Sequence, residues 1–177
     1  SDAHNNLGNA LKTLGKPDLA IESYKHAIEL KPTYDQAYCA LGETLKQINF
    51  VNARRDLHPV LEHLLAEGTF VRPSSIAKSI LSLLTTEEDV RQAIATQFPI
   101  RKIPEFYLIL DRLAKFPLLE ILIQQCPIPD LTFEKLFMEL RKFLLHNVEK
   151  VELTLKQMQF LESLALQCFI NEYIYFE

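Results

Sequence analysis

The closest approach to a chemical constellation in this 177-residue chain is His58-Pro59-Val60-Leu61-Glu62-His63, two imidazoles with a carboxylate between them. A helical zinc site needs its histidines on one face, as a four-residue separation provides. Here the separation is five and the order is not His-Glu-x-x-His. The run is also one residue too long for the inverted motif, and Pro59 perturbs the helix. These histidines are expected to be solvated or packed, with no metal. Cys39 is a thiol with no base proposed beside it, and a nucleophile needs an activated thiolate. Glu87-Glu88-Asp89 places carboxylates side by side, but helix N-termini collect acids because the backbone dipole favours them there. Ser74-Ser75 lacks the Gly-x-Ser-x-Gly frame of a nucleophile elbow and reads as a helix N-cap. The expectation is a non-enzymatic chain with no catalytic residue and no cofactor.

Composition supports a protein that buries a core, as one large domain or two small continuous ones: 48% of residues are hydrophobic and 24% charged. A net charge of −4 argues against general nucleic-acid binding, which needs a basic surface to displace counterions. No apolar run approaches the roughly 20 residues of a membrane span, so no membrane partner is expected. Cys39, Cys126 and Cys168 are odd in number and far apart. They suit reduced thiols in a cytoplasmic protein better than a disulfide framework. Four glycines and no strand-like alternation predict an all-α fold.

Within that fold, Ser1 to Tyr34 form one helix–turn–helix unit. Leu7-Gly8, Leu11, Gly15, Ala20, Tyr24, Ala27 and Pro32 mark it. Gly8, Ala20 and Ala27 are small where two helix backbones approach closely. Leu7, Leu11 and Tyr24 are expected to fill the gap between the helices, and Gly15-Lys16-Pro17-Asp18 to turn the chain. The first helix is expected from about Asp2 to Leu14. The second runs from Asp18, as N-cap, to about Leu30, with Pro32 stopping it. This pattern resembles the tetratricopeptide repeat, a 34-residue unit that buries its apolar face by stacking on its neighbours. His4 stands where that family favours tryptophan.

A second unit begins at Asp35, with Tyr38, Leu41-Gly42 and Leu45 in register. It then degenerates. Arg54 falls where a small alanine belongs, and a one-residue shortening of the Gln47 to Asn52 turn restores the spacing. Asn52 to Glu67 is expected as a divergent partner helix, kinked or restarted at Pro59 and closed by Gly68 as a C′ glycine. The domain organisation expected is thus two repeats over 1–68 (1–34 consensus, 35–68 degenerate) and a helical extension over 69–177 continuous with the array.

The resemblance implies a concave groove lined by the first helix of each repeat. Carried over residue by residue, it is lined by Asp2, Asn5, Asn9 and Lys12, then Gln36, Cys39, Glu43 and Lys46. Asn5, Asn9 and Lys12 resemble part of the clamp with which some family members hold a terminal carboxylate. Cys39 and Glu43 stand where the second repeat would supply amide or basic groups, and Glu43 would repel a carboxylate. Asn6 resembles the asparagine ladder of O-linked N-acetylglucosamine transferases, which Ala40 breaks in the next unit.

The extension reads as further helices. Ile76 to Leu84 is one, and a second opens at Thr86-Glu87-Glu88-Asp89 and is expected to continue through Phe98 to Pro99. A third covers Glu105 to Phe116 behind Pro104, and a short, very apolar one covers Leu118 to Cys126. Thr132 is expected to cap a helix ending near His146 or Asn147, and Thr154 with Gln157 to form a capping box for a long last helix. Three segments, Arg72 to Ile76, Leu119 to Pro129 and Cys168 to Tyr175, resemble the helical region that precedes an S-adenosylmethionine-dependent methyltransferase domain in bacterial repeat proteins. That likeness implies a fused enzyme domain outside this sequence. The abrupt start on a repeat and the aromatic end carry the same expectation of a piece of a longer protein. Phe169, Tyr173 and Phe176 are then a core stripe or a face for domain docking. The functional expectation is a module that recruits a protein or peptide partner. The alternative is an architectural or homodimerising module without a ligand groove.

Overall fold

Prolines set the helix boundaries. In the computed structural model, which describes the backbone of residues 1–174 and the side chains as far as Cys168, five helices carry a proline in their first turn. The missing proline N–H is harmless there and the fixed φ suits the helix. Ten α-helices and no strand occur among the described residues: α1 (Asp2–Thr13), α2 (Pro17–Leu30), α3 (Asp35–Leu45), α4 (His58–Glu67), α5 (Pro73–Leu84), α6 (Glu88–Ile94), α7 (Ile103–Leu113), α8 (Pro117–Gln125), α9 (Leu131–Asn147) and α10 (Leu155–Ile174). The all-α helical array is as expected.

Several boundaries differ from the expectation, each for a local reason. Helix α2 opens on Pro17 after Lys16, so Asp18 is a first-turn acid and not the cap. Pro73 likewise opens α5, which places Ser74 and Ser75 inside its first turn. Helix α6 stops at Ile94, short of Pro99, and Phe98 lies in the following loop with Lys135 Nζ 5.5 Å from its ring centroid. Asp130, not Thr132, caps α9: its Oδ1 accepts from the backbone N–H of Thr132 at 2.8 Å and of Phe133 at 3.1 Å. The Thr154/Gln157 box forms reciprocally, Thr154 N donating to Gln157 Oε1 and Gln157 N to Thr154 Oγ1. Gly68 ends α4 at φ 61°, the left-handed conformation that favours glycine.

The break in the sequence pattern after Leu45 has a physical explanation. Pro59 does not kink its second helix but starts it; α4 begins at His58 after a 3₁₀ turn over Arg55–Leu57. The residues before that turn are not helical and are tied back to α2. Arg54 bridges Glu22 and Asp56, and Lys25 Nζ lies 2.7 Å from Asp56. An arginine where the pattern wants alanine thus ties a turn to the first repeat.

Helices α1, α2 and α3 pack on one another in the order expected of stacked repeats. Gly8 and Gly42 lie at close approaches: a Cβ at Gly8 would come 2.4 Å from the Tyr24 ring, and one at Gly42 would come 2.8 Å from Val71. Tyr24 is fully buried and Leu11 partly so, but Leu7 is half exposed and does not fill the gap. Downstream the neighbour-to-neighbour order lapses. Helix α8 packs on α4, α5 and α10, and α10 also reaches α7 and α9. That central position accounts for its apolar sequence: Leu118, Leu119, Leu122 and Ile123 are completely buried, each contributing roughly 1.5–3 kcal/mol. The side chains of Phe169, Tyr173 and Phe176 lie outside the described residues.

Candidate partner-binding groove

Residues 2, 5, 9 and 12 on α1, and 36, 39 and 43 on α3 with 46 at its C-cap, recur at three- and four-residue spacing, so each set shares a helix face. Because α1 and α3 are neighbours, the structure brings parts of the two sets together. Lys12 and Glu43 line one cleft of about 280 Å³, with Gly15, Pro17, Thr44, Gln47 and Ile48. Lys46 Nζ pairs with Glu43 from the next turn of the same helix. That hydrogen bond holds the Glu43 carboxyl below the usual carboxylate range, and the field of Lys12 adds to it. Glu43 is therefore not a lone charge: two ammonium groups outweigh it.

The other end of the groove has the opposite character. The Asp2 carboxylate beside Tyr34 pushes that phenol above its ordinary value, while the Asn5 amide opposes the shift. Tyr34 Oη donates to Gln36 Oε1 at 3.3 Å. Asn5 is only 6% exposed, and its Oδ1 has no hydrogen-bond partner among the described residues. It is thus a buried residue beneath this end of the groove, unlike exposed Asp2, Asn9 and Lys12.

Between the two ends, Asn9 accepts a 2.9 Å hydrogen bond from Tyr24 Oη through Oδ1. With the oxygen committed, the amide presents its Nδ2 donor to the surface. Cys39 is an exposed free thiol on α3. Tyr24 and Tyr34 were not foreseen as polar partners in the groove. A tyrosine at a packing position signals its ring in sequence, but where its hydroxyl ends depends on the helix crossing.

The other chemical candidates are dispersed. His63 lies against Tyr38 and Phe70, whereas His58 meets Phe116 edge-on with its Nε2 buried and without a hydrogen-bond partner among the described residues. Burial pushes His58 below the ordinary histidine value. No group of three metal-ligating side chains stands together among the described residues, and none of the described helices is long and apolar enough to cross a membrane. Glu87 is 1% exposed and engaged by Arg55, while Glu88 pairs with Arg91 and Asp89 with Lys115.

Residues 1–34 match the tetratricopeptide repeat family, so α1 and α2 form one such repeat. Repeats of this family generally mediate protein–protein interaction. Comparison with curated proteins and with solved structures gave no match.

Proposed function

We propose that the α1/α3 groove recruits an extended polypeptide and holds an acidic group of it, a terminal carboxylate in the simplest case, at the Lys12 end. The observation that carries this reading is the cleft shared by Lys12 and Glu43, with Lys46 paired to the same carboxylate. Its local charge is +1 in a chain of net charge −4, and an ammonium–carboxylate contact in a concave site is charge-assisted. Asn9 supports the reading with an amide donor suited to a backbone carbonyl. Asp2, Gln36 and Cys39 line the rest of the path, with Asn5 buried beneath it. The test is to select pentapeptides by display on the intact chain and measure their affinity with free and amidated C-termini. The reading expects amidation or Lys12→Ala to weaken binding about tenfold, with Asn9→Ala weaker still than wild type and all variants folded. Equal affinity for free and amidated peptides would overturn the carboxylate assignment.

An architectural reading has its own support. Leu7, Leu14, Leu19 and Leu30 of the first repeat are 50–68% exposed, an apolar outer surface suited to packing on another unit. Light scattering over a range of concentrations separates the readings: dimers that ignore Lys12→Ala favour architecture. The finer proposal, that residues 69–177 precede a methyltransferase domain in a longer protein, rests on the three resembling segments. Capture of the endogenous polypeptide and an intact mass near 20.4 kDa would remove it.

A further inference from the structure

The loop after α6 lies against α9. Pro99, Ile100 and Arg101 of this loop, together with Glu139, Lys142, Phe143, His146 and Asn147 of α9, line an open cavity of about 220 Å³. Lys135 over the Phe98 ring braces the loop on the helix.

Glu139 is the unusual residue here. It is 8% exposed, yet its carboxylate makes no hydrogen bond among the described residues. Its nearest cation, Lys142 Nζ, is 3.9 Å away on a side chain that is 63% exposed. The carboxylate oxygens still reach solvent through the cavity, and no donor among the described residues fills their lone pairs. Lining a cavity, it is an acceptor awaiting a donor. His146 also lines the cavity, its Nδ1 held by Lys142 O, to which it donates at 2.7 Å.

The rim has the opposite sign. Arg101 is exposed, and its guanidinium has no ion-pair partner among the described residues; only its backbone N–H is engaged, by Glu105. Lys142 stands beside it on the lining, and no carboxylate other than Glu139 lines this cavity. Phe143 and Ile100, 8% and 6% exposed, form an apolar wall with Pro99.

We propose that this cavity binds a free zwitterionic α-amino acid with an apolar side chain. The ligand ammonium meets Glu139, its carboxylate meets Arg101 and Lys142, and its side chain packs on Phe143 and Ile100. A simple amine is disfavoured by the two cations and a simple carboxylate by Glu139, so the pairing of charges selects the zwitterion. The volume agrees with a small ligand, since it lies below the roughly 300 Å³ at which pockets for larger ligands begin.

The experiment is titration calorimetry on the intact chain with L-leucine and L-phenylalanine. N-acetyl-L-leucine lacks the ammonium and L-leucine amide lacks the carboxylate. Saturable binding of at least one amino acid is expected, with each blocked analogue about tenfold weaker or worse because a built polar contact goes unmet. Glu139→Gln should weaken the parent amino acid and close the gap to the acetylated analogue. Arg101→Ala should close the gap to the amide. Backbone amide NMR on the wild-type chain guards against a variant that fails to fold: leucine should shift Ile100, Arg101 and Phe143, leaving Lys12 and Glu43 unmoved. The proposal is overturned by absence of saturation at about 10 mM, by equal affinity for leucine and its acetylated form, or by shifts confined to other regions.

Discussion

Glu87, 1% exposed, is gripped by two nitrogens of Arg55, whose Nε lies 2.7 Å from Glu87 Oε2 and 3.0 Å from Oε1. The two residues are 32 positions apart, and Arg55 belongs to the 3₁₀ turn that precedes α4. The contact therefore pins the segment between α3 and α4 to the start of α6. Removing one partner leaves a buried charge alone, whereas removing both does not. Arg55→Ala should lower the urea midpoint more than Glu87→Gln does. The double variant should recover part of the loss, giving a positive coupling in a double-mutant cycle. Strict additivity would show that the pair contributes nothing of its own.

Gly8 is where α1 passes over the Tyr24 ring. An alanine there gains up to about 1 kcal/mol of helix propensity, but its Cβ would stand 2.4 Å from the ring. Overpacking of this kind costs about 1–3 kcal/mol, so Gly8→Ala should be destabilising on balance. It should also pull the Tyr24 hydroxyl from Asn9 and weaken peptide capture. Chemical denaturation gives the first effect. A stabilised Gly8→Ala variant would mean that the two helices are free to separate.

Acid should weaken the fold in two stages. His58 is held neutral by burial, so its folded pKa lies below its unfolded value near 6.5. The unfolded chain then takes up the proton first, and stability falls as pH drops below about 6.5, levelling off below the folded pKa. Asp56 is held far below the carboxylate range, chiefly by Arg54 and then by Lys25. Its stabilisation is present above the unfolded pKa of about 4 and fades as pH falls towards the folded value. Urea midpoints between pH 7 and 3 should flatten in the upper window for His58→Gln and in the lower one for Asp56→Asn. A midpoint unchanged between pH 7 and 5 in the wild-type chain removes the first stage.

The thiols should react very unequally. Cys39 is exposed, whereas Cys126 is buried and burial pushes its thiol up to about 11. At pH 8 the thiolate fraction alone makes Cys126 slower by roughly two orders of magnitude against an ordinary thiol pKa of about 8.5, and exclusion of reagent adds to this. Timed alkylation with peptide mapping should find Cys39 first and Cys126 only after denaturation. If the proposed α1/α3 groove binds peptide, a bulky adduct on Cys39, exposed on α3, should also hinder that binding.

The last helix shows how far local pattern alone can reach. Thr154→Ala should cost about 1 kcal/mol because the capping box forms as the sequence suggests. Gln157 has a further task that the box does not reveal: its Nε2 donates to Asp111 Oδ1 on α7 at 2.7 Å. Thermal melts of Thr154→Ala and Gln157→Ala compare the cap with the cap plus this bridge, and the second should melt lower.

Local grammar determined much of this protein in the sequence itself: an all-α chain, a repeat over residues 1–34, the left-handed Gly68 and the 154/157 box. Such features depend on residues within one or two turns of each other, where φ limits, missing N–H groups and side-chain caps act without help. Pro17 and Pro73 obeyed the same grammar, opening helices that Asp18 and Ser74-Ser75 were expected to cap, because proline outcompetes a nearby capping side chain for the first helical position. Only the tertiary structure decided what depends on distant partners. It buried Asn5, aimed Tyr24 at Asn9, set the Glu43 carboxylate between the charges of Lys46 and Lys12, and seated α8 among α4, α5 and α10. It also left Glu139 facing a cavity with no hydrogen bond among the described residues. Burial and charge pairing are properties of the neighbours a side chain meets, and those neighbours are fixed by helix crossings that no local spacing encodes.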